Sequence, residues 1–154
     1  MINTLNENNE SNFILICDHA SNHIPIEYNA LGLSKEILNT HIAYDIGVKE
    51  VALNISKFLN CPLVMTNFSR LLIDANRGVD DPTLIMKISD GSVIEGNKNI
   101  SFQNKSDERK KRIKNFYKIY HKKISDIINT SINKKIFPAI VSIHSFTPLW
   151  KGKK

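Results

Sequence analysis

The chain has 154 residues, 42% hydrophobic and 23% charged, with 21 Lys and Arg against 15 Asp and Glu for a formal net charge of +6. That length suffices for one domain with a real core, and the composition is that of an ordinary soluble globular protein. No apolar run approaches the ~18 residues of a spanning helix, and the polar start from Met1 to Ser11 has no signal-peptide core, so a cytoplasmic protein is expected with no membrane partner.

Residues 1–12, rich in Asn and Glu, are expected as a loose lead-in. Phe13 to Cys17 is a continuous apolar run of strand length, which favours a strand buried on both faces. A polar loop from Asp18 to Ile26 follows, closed by Pro25. Ser34 suits the N-cap of a short helix with Glu36 in its first turn. Val48, Val51, Ala52, Ile55, Phe58 and Leu59 recur at helical spacing and predict a helix over 48–59, stopped by Cys61-Pro62. Leu63 to Met65 reads as a second strand and Leu71 to Ile73 as a third. Gly78 to Asn104 is irregular, an excursion with room for one small helix or hairpin. Asp107 to Ile132 is the clearest helix, with an apolar stripe of Ile113, Phe116, Tyr117, Tyr120, Ile124, Ile127 and Ile128 and with Ser106 as N-cap. Pro138 resets the chain, and Ala139 to Ile143 is the last strand.

Strands alternating with helices predict an α/β fold, a mainly parallel or mixed sheet flanked by helices. In such sheets ligands bind at the carboxyl ends of strands. Two strands here end at a histidine, the first at Asp18-His19 and the last at His144. Cys17 and Cys61 form no CxxC pattern and read as reduced, buried thiols. The lysines between Lys105 and Lys123 read as the solvated face of a helix, so no nucleic-acid partner is expected.

Four clusters carry the residues suited to chemistry: 18–25, 41–47, 69–77 and 144–148. They hold His19, His23, His41 and His144, with Asp18 and Asp45 nearby. Zinc takes imidazole and carboxylate ligands, three from the protein in a catalytic site. Arg70 and Arg77, with Asn76 beside the latter, suit bidentate recognition of a carboxylate or, alternatively, structural ion pairs with Asp74, Asp80 or Asp81. Neither Ser21 nor Ser145 sits in a GxSxG elbow, which disfavours a serine hydrolase.

Together these clusters resemble the N-formylglutamate amidohydrolase family. The resemblance rests on Cys-Asp-His-Ala-Ser-Asn-His-Ile-Pro at 17–25, His-Ile-Ala-Tyr-Asp-Ile-Gly at 41–47, Ser-Arg-Leu-Leu-Ile-Asp-Ala-Asn-Arg at 69–77, Glu-Arg at 108–109, Tyr-His at 120–121 and His-Ser-Phe-Thr-Pro at 144–148, in that order. It implies a phosphorylase/hydrolase-like α/β core, similar to that of zinc carboxypeptidases and aminoacylases. It implies hydrolysis of N-formyl-L-glutamate, or another small anionic N-acyl amino acid, in histidine degradation. Implied roles are His19 and His144 as ligands of Zn2+, Asn76 and Arg77 as the grip on the substrate carboxylate, and Arg70 as a catalytic oxyanion contact or second carboxylate contact. Zinc carboxypeptidases use a His-x-x-Glu pair, but Asn22 stands three residues after His19. The third ligand is then Asp45 or Asp18, with Asp45 favoured.

The resemblance also implies further strands and a general-base glutamate beyond the last motif, whereas no carboxylate follows His144 in this chain. Residues 13–154 are accordingly expected to be the N-terminal part of an amidohydrolase domain, with an incomplete core and an uncovered sheet edge or face through which it self-associates. A binding module for a small acidic ligand, without turnover, is the alternative.

Overall fold

The computed structural model describes residues 2–101 and 107–146. Its centre is a four-stranded sheet made by β1 (Ile2–Leu5), β2 (Phe13–Cys17), β3 (Leu63–Thr66) and β6 (Ala139–Ser142), in the spatial order β1-β3-β2-β6. β2 runs parallel to both neighbours, pairing Leu15 with Leu63 and Ile14 with Ile140; β1 is antiparallel to β3, pairing Ile2 with Thr66. The fold is α/β with a mixed sheet, as the alternation of elements predicts.

Successive side chains of a strand point to opposite faces, and the core divides accordingly. Ile14 and Val64 belong to a cluster with Phe116, Tyr120, Ile124 and Ile127 of the long helix. Leu15, Cys17, Leu63 and Met65 pack with Val48 and Ala52 of α2 (Val48–Leu59). Both thiols are fully buried, and burial, helped by the charges of Asp18 and Asp45, pushes Cys17 up to about 12, so it stays a neutral core thiol.

Four sequence expectations need correcting. Residues 1–12 are not a loose lead-in, because β1 adds a strand to β3 and the following turn is clasped to the end of α2. Asn6 Nδ2 donates to the Ser56 carbonyl oxygen at 3.2 Å and Asn9 Nδ2 to Asn60 Oδ1 at 2.7 Å. Leu71 to Ile73 is not a strand. It is a fully buried turn whose carbonyl oxygens accept from side chains, Leu71 from Asn97 at 2.8 Å and Leu72 from Arg112 at 2.9 Å, with no strand partner among the described residues. Only Val48, Ala52 and Ser56 of α2 are buried; Phe58 is 88% exposed, so the apolar stripe is narrower than its periodicity suggested. Phe13 is exposed, so β2 is not covered along its full length.

The remaining elements are as expected. Ser34 caps α1 (Lys35–Leu38), accepting from the Ile37 N–H. The 78–104 excursion holds a hairpin, β4 (Ile88–Ser89) with β5 (Ser92–Val93), and a 3-10 turn at Glu95–Asn97. The long helix runs as α3 (Asp107–Arg112), a π segment (Ile113–Tyr117) and α4 (Lys118–Asn133). Its proposed cap, Ser106, lies outside the described residues, as do Thr147 and Pro148 of the last motif. No described helix is long and apolar enough to cross a membrane. All four residues of β6 are exposed, and among the described residues β2 is its only strand partner.

Candidate metal centre

The three parallel strands end on the same side of the sheet, and the loops that leave them are latched together. The Thr66 hydroxyl at the end of β3 donates to the Asp18 carbonyl oxygen at 2.8 Å. Asp45 N–H reaches the His19 carbonyl oxygen at 3.0 Å, Ser69 N–H the His23 carbonyl oxygen at 2.7 Å, and the Ser69 hydroxyl the Ala43 carbonyl oxygen at 2.8 Å. These ties bring His19, Asp45 and Arg70 together, and the Ile143 N–H, bonded to the Ile16 carbonyl oxygen at 2.9 Å, sets His144 beside them.

His19, Asp45 and His144 form a cluster whose candidate ligand atoms all lie within 4.8 Å of one another. Each imidazole is held from its far side, His19 by a carboxylate directly and His144 by a hydroxyl that itself donates to one. His19 Nε2 lies 2.7 Å from Asp74 Oδ1. His144 Nε2 lies 2.8 Å from the Ser142 hydroxyl and 3.4 Å from Asp18 Oδ2. The other nitrogens converge on Asp45: His144 Nδ1 is 3.1 Å from its Oδ2 and His19 Nδ1 3.5 Å from its Oδ1. An acceptor at Nε2 fixes the proton there and presents Nδ1 as the ligand atom, the usual arrangement around a bound metal. His19 Nδ1 is buried and makes no hydrogen bond. A buried polar atom without a partner is costly, and a cation is what two imidazole nitrogens and a carboxylate would satisfy. The donor set of two nitrogens and one oxygen fits Zn2+ with three protein ligands.

Supporting groups ring this cluster. Asp74 is fully buried and also accepts from Arg70 at 3.2 Å and from the Asn76 N–H at 2.9 Å. Asp45 accepts from the Ser145 N–H at 3.2 Å and lies 3.5 Å from the Arg70 guanidinium. Asp18 accepts from the buried Tyr120 hydroxyl at 2.7 Å and from Ser142 at 3.2 Å. Burial, the Asp18 charge and the bond to Asp18 push the Tyr120 phenol up, so it stays a donor.

The charges respond to one another. Burial works against ionising Asp45 and Asp74, yet both carboxyls lie below their usual range, because the adjacent His19 ring, with Arg70 helping Asp74 and Ser145 and His144 helping Asp45, outweighs it. Burial likewise opposes protonating His19, but Asp45 and Asp74 raise it above the usual histidine value. Lowered carboxyls contribute stability that is present above about pH 4 and lost as pH falls; the raised imidazole contributes stability present below about pH 6.5 and lost as pH rises through its folded value. The melting temperature of the metal-free chain should therefore peak between those limits, and zinc should restore stability on the alkaline side by binding the deprotonated ring. A metal-free melting temperature that climbs from pH 6 to pH 9 in a calorimetric series would contradict this.

The sequence-predicted residues fall into two groups. His19, Asp45, His144 and Arg70 are brought together. Asn76 and Arg77 are exposed and line a neighbouring cavity of about 370 Å3 that has Asp18 in its wall. Arg77 lies 3.8 Å from Asp74 and 3.7 Å from Asp81. His23 and His41 are exposed and outside the cluster. Asp74 pairs with Arg70 as its sequence position suggests, but its bond to His19, and the bonds of Tyr120 and Ser142 to Asp18, lie beyond what the sequence indicates. The spacing Asp74-x-Asn76-Arg77 was the available signal for Asp74; nothing local distinguished the other two.

The sequence model of the N-formylglutamate amidohydrolase family matches residues 11–154. A solved gene product of Agrobacterium tumefaciens superposes with a TM-score of 0.93 at 34% identity, over 99% of this chain and 59% of that one. N-formylglutamate amidohydrolase from Ralstonia eutropha superposes with a TM-score of 0.74 at 18% identity, over 94% of this chain and 56% of that one, a likeness of fold. The chain thus spans less than two thirds of the length of these structures. No curated protein matches it significantly.

Proposed function

The chain belongs to the N-formylglutamate amidohydrolase family, and from that premise we propose that it is a zinc-dependent amidohydrolase acting on N-formyl-L-glutamate or a closely related small anionic N-acyl amino acid. The observation that carries this reading is the pair of imidazoles, His19 held at Nε2 by Asp74 and His144 by Ser142 backed by Asp18, each turning Nδ1 toward Asp45. His19, Asp45 and His144 would hold the ion. When bound, zinc supplies a lowered pKa for water and polarisation of the amide carbonyl. Asp74 keeps the proton on His19 Nε2, and Ser142 with Asp18 does the same for His144. Arg70, beside Asp45, faces the negative charge that develops on the carbonyl oxygen. Asn76 and Arg77, at the adjacent cavity, grip the carboxylate of the amino-acid half. The products would be formate and glutamate, a step of histidine degradation in the cytoplasm.

The test is to measure zinc stoichiometry and formate release from N-formyl-L-glutamate together. Saturable formate release that needs one zinc per chain is expected; neither zinc uptake nor formate would sink the reading.

One observation favours a second reading. Asp18, Asp45 and Asp74 each already accept hydrogen bonds from protein donors, as carboxylates that hold a site in place do. A chain that holds zinc and the acidic ligand without turnover fits that arrangement. Stoichiometric binding of N-formyl-L-glutamate with no formate would select it.

The exposed β6, flanked by the exposed Phe137 and Phe146, also supports self-association of this chain through its sheet edge. Sedimentation velocity should show concentration-dependent assembly, and a monomer across the micromolar range would exclude it.

A further inference from the structure

Tyr117 and His121, one turn apart on the long helix, both reach the loop that carries Asn76 and Arg77. The Tyr117 hydroxyl donates to the Arg77 carbonyl oxygen at 2.9 Å. His121 Nε2 lies 3.0 Å from the Ala75 carbonyl oxygen. A carbonyl oxygen only accepts, so His121 Nε2 carries the proton. The two rings lie 4.2 Å apart between centroids and brace one another. Asn76 is therefore bracketed by two tethered carbonyls, and its own N–H is anchored on Asp74. The Arg77 ion pairs, at 3.8 and 3.7 Å on a side chain 46% exposed, are too long and too wet to set its position. The backbone must do so. The widened π turn of the helix ends at Tyr117, where this clamp begins, and such turns recur at functional sites. Both rings also line the 370 Å3 cavity with Asn76 and Arg77.

Resting on the reading of Asn76 and Arg77 as carboxylate contacts, we propose that Tyr117 and His121 are positioning residues that hold this pair in place to receive the carboxylate of an N-acyl amino acid. Holding the loop in its binding shape removes an ordering cost from ligand capture. Both hydrogen bonds go to loop backbone and neither to the ligand cluster, so the clamp acts on the anionic ligand and not on zinc.

The experiment measures binding of N-formyl-L-glutamate to the zinc-loaded chain by calorimetry, for wild type, Arg77→Ala, Tyr117→Phe, His121→Leu and His121→Gln. Zinc affinity and melting temperature are measured beside it for each. Tyr117→Phe and His121→Leu are expected to weaken the ligand about five- to tenfold, the scale of one lost hydrogen bond, with zinc affinity unchanged. His121→Gln keeps a donor for the Ala75 carbonyl and should restore most of the affinity. Ligand binding unchanged in Tyr117→Phe and His121→Leu, while Arg77→Ala weakens it, overturns the clamp alone. The same holds if His121→Gln binds as poorly as His121→Leu although both melt like wild type. Arg77→Ala binding as tightly as wild type, or a wild type that does not bind, overturns the carboxylate reading and the clamp with it.

Discussion

His144→Ala is expected to lower zinc affinity by well over the ~100-fold that loss of a metal ligand's outer partner can cost. It removes a ligand atom outright. His144 is the cleaner choice of the two histidines, because its side chain is 20% exposed and its removal leaves His19, Asp74 and Arg70 in contact. The metal-free chain should lose little stability, so the loss of affinity will not be a loss of fold. Competition against a chromophoric chelator, with a melting curve in the presence of chelator, separates the two. Zinc binding within tenfold of wild type would remove His144 from the site and with it the metal centre as described.

Asp74→Ala is expected to be the most destabilising single change in the site. Asp74 is fully buried and accepts from His19, Arg70 and the Asn76 backbone. Without it, the buried His19 ring loses its Nε2 partner and the Arg70 guanidinium keeps only its 3.5 Å approach to Asp45. Removing one partner of a buried, charged network costs about 3–5 kcal/mol. Asp74→Asn keeps the shape and one acceptor, so it should cost less stability while weakening zinc by roughly 10–100-fold through the His19 ring. Denaturant unfolding without metal reads the first effect and zinc titration the second. An Asp74→Ala chain within 1 kcal/mol of wild type, as an order-of-magnitude limit, would mean that the network does not hold the buried turn together.

The same residues show what was readable beforehand and what was not. His19 and His144 were visible because each follows an apolar strand, and a histidine at the carboxyl end of a strand is placed where such folds bind ligands. Between Asp45 and Asp18 the sequence gives only a preference, since a carboxylate between two loops has no periodicity. Asp74 looked like a partner for arginine, which it is; its bond to His19 joins residues 55 apart, a distance that no local pattern spans. Tyr120 falls on the core stripe by its spacing, and it is buried there, but its hydroxyl crosses to Asp18, 102 residues away. Leu71 to Ile73 has the composition of a strand because a buried turn and a buried strand need the same apolar side chains. β1 was missed for the opposite reason: an edge strand with two polar residues in four leaves almost no hydrophobic signal.

The convergence of distant segments on Asp45 has a consequence for how the protein is made. His144 meets Asp45 across 99 positions of chain, and it reaches that contact only when β6 has docked on β2. During synthesis from the N-terminus, His19, Asp45, Asp74 and Arg70 leave the ribosome long before the second imidazole exists. The nascent chain thus passes through a stage with half a site, holding one imidazole and two carboxylates. The cluster of His19, Asp45 and His144 therefore closes only when β6 docks on β2, and an ion held by all three would be captured after that step and not before it.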